Sequence, residues 1–130
     1  MTIHHSIYRR ATTGGHTGLS ALVAKRCYPQ RLPEDPTLPA LVYNLVSTPP
    51  NTYQDHSGSP DRWTYRVQLD GYAGDPDSAA ALGAQMLAAF AGWSSGTAVG
   101  YSLVQNAFET YEPALDRYRA VVDVAIDHKL

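Results

Sequence analysis

Cysteine and long apolar runs are what this sequence has least of. One cysteine, Cys27, occurs among 130 residues, which excludes an internal disulfide and any zinc site that needs two thiolates. A lone thiol is typical of a reducing compartment. No run of roughly 20 apolar residues occurs, so we expect no membrane span. His4, His5, Arg9 and Arg10 interrupt the apolar residues near the start, and we therefore expect no secretory leader.

Motifs that would indicate catalysis or a cofactor are missing or out of context. Gly92–Gly96 has the G-x-S-x-G form, but it follows a predicted helix instead of leading into one, unlike a hydrolase serine. Gly14–Gly18 lacks the lysine of a phosphate-binding loop, and the five histidines show no metal-ligand spacing. Asp123 and Asp127 share one face of a predicted strand, where they are either an acid–base pair or the hydrated face of a sheet. We assign no catalytic, cofactor-binding or metal-binding residue.

Charge is unevenly distributed along the chain, although the net charge is only -2. Residues 1–33 contain five basic residues and no acidic residue, whereas residues 34–130 contain all 12 acidic residues and the other five basic ones. The two charged regions are either complementary surfaces that meet between neighbouring subunits or a chance clustering on a solvated surface. A sequence pI of about 6.2 does not favour a nucleic-acid-binding patch.

A nearly uncharged helix is the most informative feature that is present. Asp75 followed by Pro76 predicts its start, because an acidic N-cap accepts free backbone amides and proline suits the first turn. Gly92 is a suitable residue for the end of the helix. One stripe of this helix is expected to lie on a sheet. Its members are Ala79, Leu82, Gly83, Met86, Phe90 and Trp93.

The opposite stripe of the same helix is also apolar. It carries Ala81, Ala84 and Ala88, and no lysine or glutamate solubilises it. Alanine favours helix in any environment, but that preference does not explain the missing charges. We therefore predict that these three alanines are covered, either by the N-terminal segment or by a neighbouring subunit, and we name them as the candidate subunit interface.

Two strands are predicted before the helix. Residues 40–47 form a nearly continuous apolar run, typical of a strand covered on both faces. Residues 62–72 alternate between apolar and polar side chains, which predicts an antiparallel strand with one buried face that pairs with residues 40–47. The side chains expected on the buried face are Trp63, Tyr65, Val67 and Leu69.

Two further strands, at residues 99–111 and 118–128, flank a turn and predict a second hairpin after the helix. A short helix is predicted at residues 3–11. The sequence therefore predicts an α+β fold in the order α-β-β-α-β-β. Its centre is a mainly antiparallel four-stranded sheet, and its helices pack on one face.

The chain is interpreted as one domain over residues 1–130, with a variable N-terminal segment at 1–18 and a long projecting loop at 48–61. The loop is polar and rich in proline, and long loops of this kind are either mobile or functional. A projecting loop can order when it meets a partner. The candidate partner contacts at its centre are Tyr53, Gln54, Asp55 and His56.

Four segments in order resemble the tail-completion, or tail-terminator, proteins of long-tailed phages, prophages and gene transfer agents. They are VAKRCYP at 23–29, LPALVYNLVS at 38–47, YRVQLDGYA at 65–73 with the following helix, and YEPALDRYRAVVDVAI at 111–126. The similarity covers roughly residues 19–128. Residues 1–18 depart from the family pattern, because the longer apolar helix with which the family begins is interrupted here.

The resemblance implies a structural subunit of the virion tail, assembled in the cytoplasm of a bacterial host. Such subunits form a homo-oligomeric ring, typically a hexamer, at the head-proximal end of the tail. The ring caps the tail tube, ends its polymerisation and provides the surface for the head–tail connector or stopper protein. DNA passes through the lumen without specific binding. No enzyme activity, cofactor or membrane is implied. The alternatives are a head-completion or connector protein of the same particle, and a small α+β enzyme using Asp123 or His56.

Overall fold

The structure, a computed structural model, describes residues 2–12, 16–47, 50–51, 62–95 and 98–129. Three helices and six strands occur in these ranges. In chain order they are α1 (Ile3–Thr12), α2 (Thr17–Val23), β1 (Cys27–Pro29), β2 (Ala40–Ser47), β3 (Pro50–Asn51), β4 (Arg62–Ala73), α3 (Pro76–Phe90), β5 (Val99–Glu112) and β6 (Arg117–Lys129).

The strands form one mixed sheet in the order β1-β2-β4-β6-β5, and β3 pairs with β4 beside that path. All pairs are antiparallel except β1 with β2. The predicted α+β class, the four long strands and both predicted strand pairs are confirmed. Helix α2 lies where Leu19, Leu22 and Val23 predict a helical turn, although the predicted order does not include it. The structure also adds the short strands β1 and β3, so the sheet has more than the four predicted strands. Strands of two or three residues are too short to show a periodic pattern.

The main core lies between the sheet and helix α3. The helix begins as the sequence predicts, because the Asp75 carboxylate accepts a hydrogen bond from the Ser78 amide at 2.8 Å. Its sheet-facing stripe is confirmed by burial of Leu82, Met86 and Phe90. At the end of the helix, the buried Ser102 hydroxyl donates to the carbonyl of Phe90, which ties α3 to β5.

The N-terminal helix α1 is part of the same core. Ile3, Ile7 and Ala11 are buried, as their spacing predicts. Arg10 lies against the end of α3, where its Nε donates to the carbonyl of Ala89 at 2.7 Å. Residues 3–12 are therefore packed against the rest of the domain. No helix within the described ranges is long and apolar enough to cross a membrane.

Candidate assembly surface

The predicted interface alanines lie on the outer face of α3. Ala81, Ala84 and Ala88 are all exposed. Helix α2 packs beside α3, where Gln85 lies so close to Gly18 that a Cβ on that glycine would meet its amide oxygen at 2.0 Å. Within the described residues, the N-terminal helices therefore leave the alanine stripe uncovered.

The exposed apolar surface of α3 continues onto strand β5 through a shallow groove of about 290 Å³. Helix residues that include Ala84 and Leu87 line one side of the groove. Residues of the β5–β6 hairpin, Ala107, Phe108 and Glu109 among them, line the other. The helix stripe and the edge of the sheet therefore form one continuous surface.

Strand β5 is the last strand of the sheet, and its outer edge has no strand partner among the residues that the structure describes. Four large apolar side chains on it are exposed: Tyr101 at 48%, Leu103 at 60%, Phe108 at 47% and Tyr111 at 42%. An exposed edge usually carries charge, proline or bulges against unwanted pairing. Residues 99–108 of β5 contain no charge and no proline, although the pairing of β5 with β6 has two register shifts. An edge of this composition is suited to contact with another protein chain.

Sequence reasoning missed the contribution of β5, although a signal was present. Residues 78–108 contain no acidic, basic or histidine residue, in a chain that is 17% charged. This stretch includes nearly all of α3 and the first ten residues of β5. We name the exposed part of it the uncharged surface: the outer face of α3 together with residues 99–108 of β5.

The sheet face opposite the helices carries a polar cluster around Asp70, because its neighbour Gly71 faces α3 and strand residues alternate. Asp70 is 3% exposed. The amide of Gln68 donates to both of its carboxylate oxygens at 3.1 and 3.2 Å, and Arg119 lies at 3.8 Å. A cavity of about 510 Å³ lies over this cluster, beneath residues 30–36. Burial raises the pKa of Asp70, and the Gln68 hydrogen bonds and the charge of Arg119 oppose that rise.

Replacing Asp70 by asparagine is expected to change how stability depends on pH. Because the pKa of folded Asp70 lies above its ordinary value of 3.8, the protonated carboxyl contributes stability below that value and loses the contribution as pH rises. Asparagine keeps a neutral amide at every pH. Relative to the parent, Asp70→Asn should therefore become progressively more stable from pH 3.5 to pH 7. Urea unfolding at both pH values measures this, and a pH-independent difference would contradict it.

A serine–histidine pair and a cysteine, which are residue types found in catalytic sites, are buried in the core. The His128 ring donates from Nδ1 to the carbonyl of Lys129 at 2.7 Å, and its Nε2 accepts from the Ser6 hydroxyl at 2.8 Å. Both residues are buried, so this serine–histidine pair joins α1 to β6. Burial also raises the pKa of the Cys27 thiol to about 12, which disfavours the reactive thiolate.

The remaining candidate residues are the Asp123–Asp127 pair and the four contacts of the long loop. Asp123 is half-buried and Asp127 is buried, so the latter does not lie on a hydrated face. No group of three or more potential ligands in the described ranges is placed to hold a metal ion. The predicted partner contacts Tyr53, Gln54, Asp55 and His56 lie outside the described residues, as does the centre of the 48–61 loop.

The geometry defines a class of protein: an α+β domain whose exposed apolar surface suits contact with another protein chain. The family model described as "Tail completion protein gp17" matches residues 10–128. The chain belongs to this family and is a structural protein of the phage-type virion tail. The predicted resemblance is thereby confirmed, and residues 1–9 lie outside the match.

The fold is also similar to that of a chain in a solved structure described as "Virion of native gene transfer agent (GTA) particle". The TM-score is 0.67, the sequence identity is 16%, and the alignment covers 98% of this chain and 95% of that chain. No curated protein sequence matches the chain.

Proposed function

We propose that six copies of this chain form a ring at the head-proximal end of the tail tube. The ring caps the tube, ends its polymerisation and presents a surface to the head–tail connector or stopper protein. DNA crosses the lumen without specific binding. In this proposal the chain acts by contact alone, without catalysis or a cofactor.

The observation that carries the proposal is the uncharged surface. A monomer in water would be expected to place charged side chains on an exposed helix and on an exposed sheet edge. Here Ala81, Ala84 and Ala88 are exposed and uncharged, and Glu109 is the one charged residue among those that line the groove beside Leu87 and Phe108. Burial of this surface between copies would contribute roughly 25 cal/mol for each Å² removed from water.

Membership of the tail completion family supports the same conclusion. A subunit that completes a tail must contact the tube on one side and a further component on the other. A closed ring of identical subunits can offer one face to the tube and the other face to the further component. The ring contains a fixed number of copies, because a cyclic assembly closes on itself.

The proposal is tested with purified chain and tail tubes of the same particle. Light scattering should give a mass of six times 14.2 kDa, or about 85 kDa, and electron microscopy should show rings on one end of each tube. Tubes mixed with the chain should stop elongating. A chain that neither forms rings in solution nor binds tube ends would overturn the proposal. Capture by connector or portal-side protein, without capture by tube protein, would favour a head-completion role instead.

A further inference from the structure

Basic residues flank the strand at one end of the sheet. Residues 1–33, which hold five basic residues and no acidic one, make up α1, α2 and β1. Strand β1 is the terminal strand on this side. Exposed Lys25 and Arg31 flank β1 in the chain, and exposed Val46 lies on the neighbouring strand β2. We name this end the basic edge.

The acidic counterpart lies at the other end of the same sheet. Strand β5 and its turn, residues 99–116, contain three acidic residues and no basic one. Glu109 and Asp116 are exposed, whereas Glu112 pairs with Arg119 at 2.9 Å. Strand β5 ends the sheet opposite to β1. We name this end the acidic edge, and it also carries exposed Leu103 and Phe108.

The two edges are too far apart to neutralise each other within one chain. Four strand spacings of about 4.8 Å separate β1 from β5, which gives roughly 19 Å. This distance is about twice the screening length at physiological salt, which is about 8 Å. Attraction between the charges of the two edges is therefore weak within one copy, but it can act between neighbouring copies.

The distribution of charge between the two edges also distinguishes between two ways in which copies can pair. If two β5 edges met, as in a two-fold dimer, acidic residues would face acidic residues, and like charges across an interface are unfavourable. If β5 met the basic edge of the next copy, opposite charges would face each other and the apolar side chains of both edges would be covered. Such a contact uses two different surfaces, and successive copies then close into a ring.

We propose that the acidic edge of one copy lies against the basic edge of the next copy, so that the sheet edges give the assembly its head-to-tail polarity. The inference rests on the proposed ring and names the two surfaces that join its subunits. Glu34 and Asp35, which follow the basic edge in the chain, are exposed and line the polar cavity beside Asp70. Arg31 borders that cavity as well, and Lys25 is not among its lining residues.

Charge reversal tests the polarity. One chain carries Glu109→Lys, and a second carries Lys25→Glu with Arg31→Glu. Alone, each should need a roughly two- to fivefold higher concentration for half-assembly, because an exposed charge pair changes an equilibrium by up to about fivefold. An equimolar mixture should assemble like the parent, since each reversed edge then meets an opposite charge. Arg66→Glu, an exposed residue of the central strand β4, is the matched control and should assemble like the parent.

Light scattering in solution, or counting of capped tube ends, gives the half-assembly concentration, and circular dichroism confirms that each variant is folded. Normal assembly of the Lys25→Glu, Arg31→Glu chain would overturn the head-to-tail inference while leaving the ring intact. Failure of the mixture to recover, or equal weakening of Arg66→Glu, would overturn it as well. A parent chain that forms no ring and caps no tube would instead overturn the proposed function, and the inference with it.

Discussion

Ala84→Glu is expected to abolish assembly while leaving the fold intact. Ala84 is exposed, lies near the middle of α3 and lines the groove that leads to β5. In an isolated chain the new carboxylate would remain in water, so the free energy of unfolding should change by no more than about 0.5 kcal/mol. In an assembled ring it would be buried among apolar side chains without a partner, which costs about 3 kcal/mol or more at every interface.

The corresponding loss of affinity is roughly a hundredfold. Light scattering would measure a monomer at concentrations where the parent assembles, while circular dichroism and urea unfolding would match the parent. Ala88→Glu should behave in the same way. Ala84→Ser is the matched control, because serine is small and uncharged and should permit assembly. If Ala84→Glu assembled as well as Ala84→Ser, the outer face of α3 would not be a subunit interface.

The parts of this fold that the sequence predicts are those encoded by neighbouring residues. The start of α3 depends on Asp75 and Pro76, which act within one turn of the helix. The buried face of β4 follows from alternation: Val67 and Leu69 are buried, whereas Trp63 and Tyr65, predicted on the same face, are half-buried. Local chemistry of this kind needs no knowledge of the rest of the chain.

The parts that the sequence does not predict depend on distant residues. Nothing near Leu103 or Phe108 indicates that β5 is the terminal strand, because strand order is a property of the whole sheet. The pairing of Ser6 with His128 joins positions 122 residues apart. The candidate interface was therefore only half predicted: the alanine stripe of α3 is visible as a periodic pattern, but its continuation onto β5 arises from tertiary contact.

Gly71→Ala is expected to destabilise the domain, because α3 lies unusually close to the sheet at this residue. Gly71 lies in β4 between Leu41 of β2 and Ala120 of β6. A Cβ at Gly71 would lie 2.6 Å from Leu82 Cδ2 and 2.6 Å from Met86 Sδ. Both side chains are fully buried, so neither can move without disturbing its neighbours or displacing the helix. Overpacking of this kind costs about 1–3 kcal/mol.

The chain provides a matched control three residues away. A Cβ at Gly74 would meet nothing within 4 Å, so Gly74→Ala should keep the stability of the parent or raise it by up to about 1 kcal/mol through a less flexible unfolded chain. Urea unfolding of the two variants compares the same chemical change in a crowded and an open position. Because α3 carries the outer alanines, Gly71→Ala should also weaken assembly under conditions where the variant remains folded, whereas Gly74→Ala should not. Equal stability of the two variants would mean that α3 and β4 are not packed as closely as the structure has them, and the position of the uncharged surface would then have to be revised.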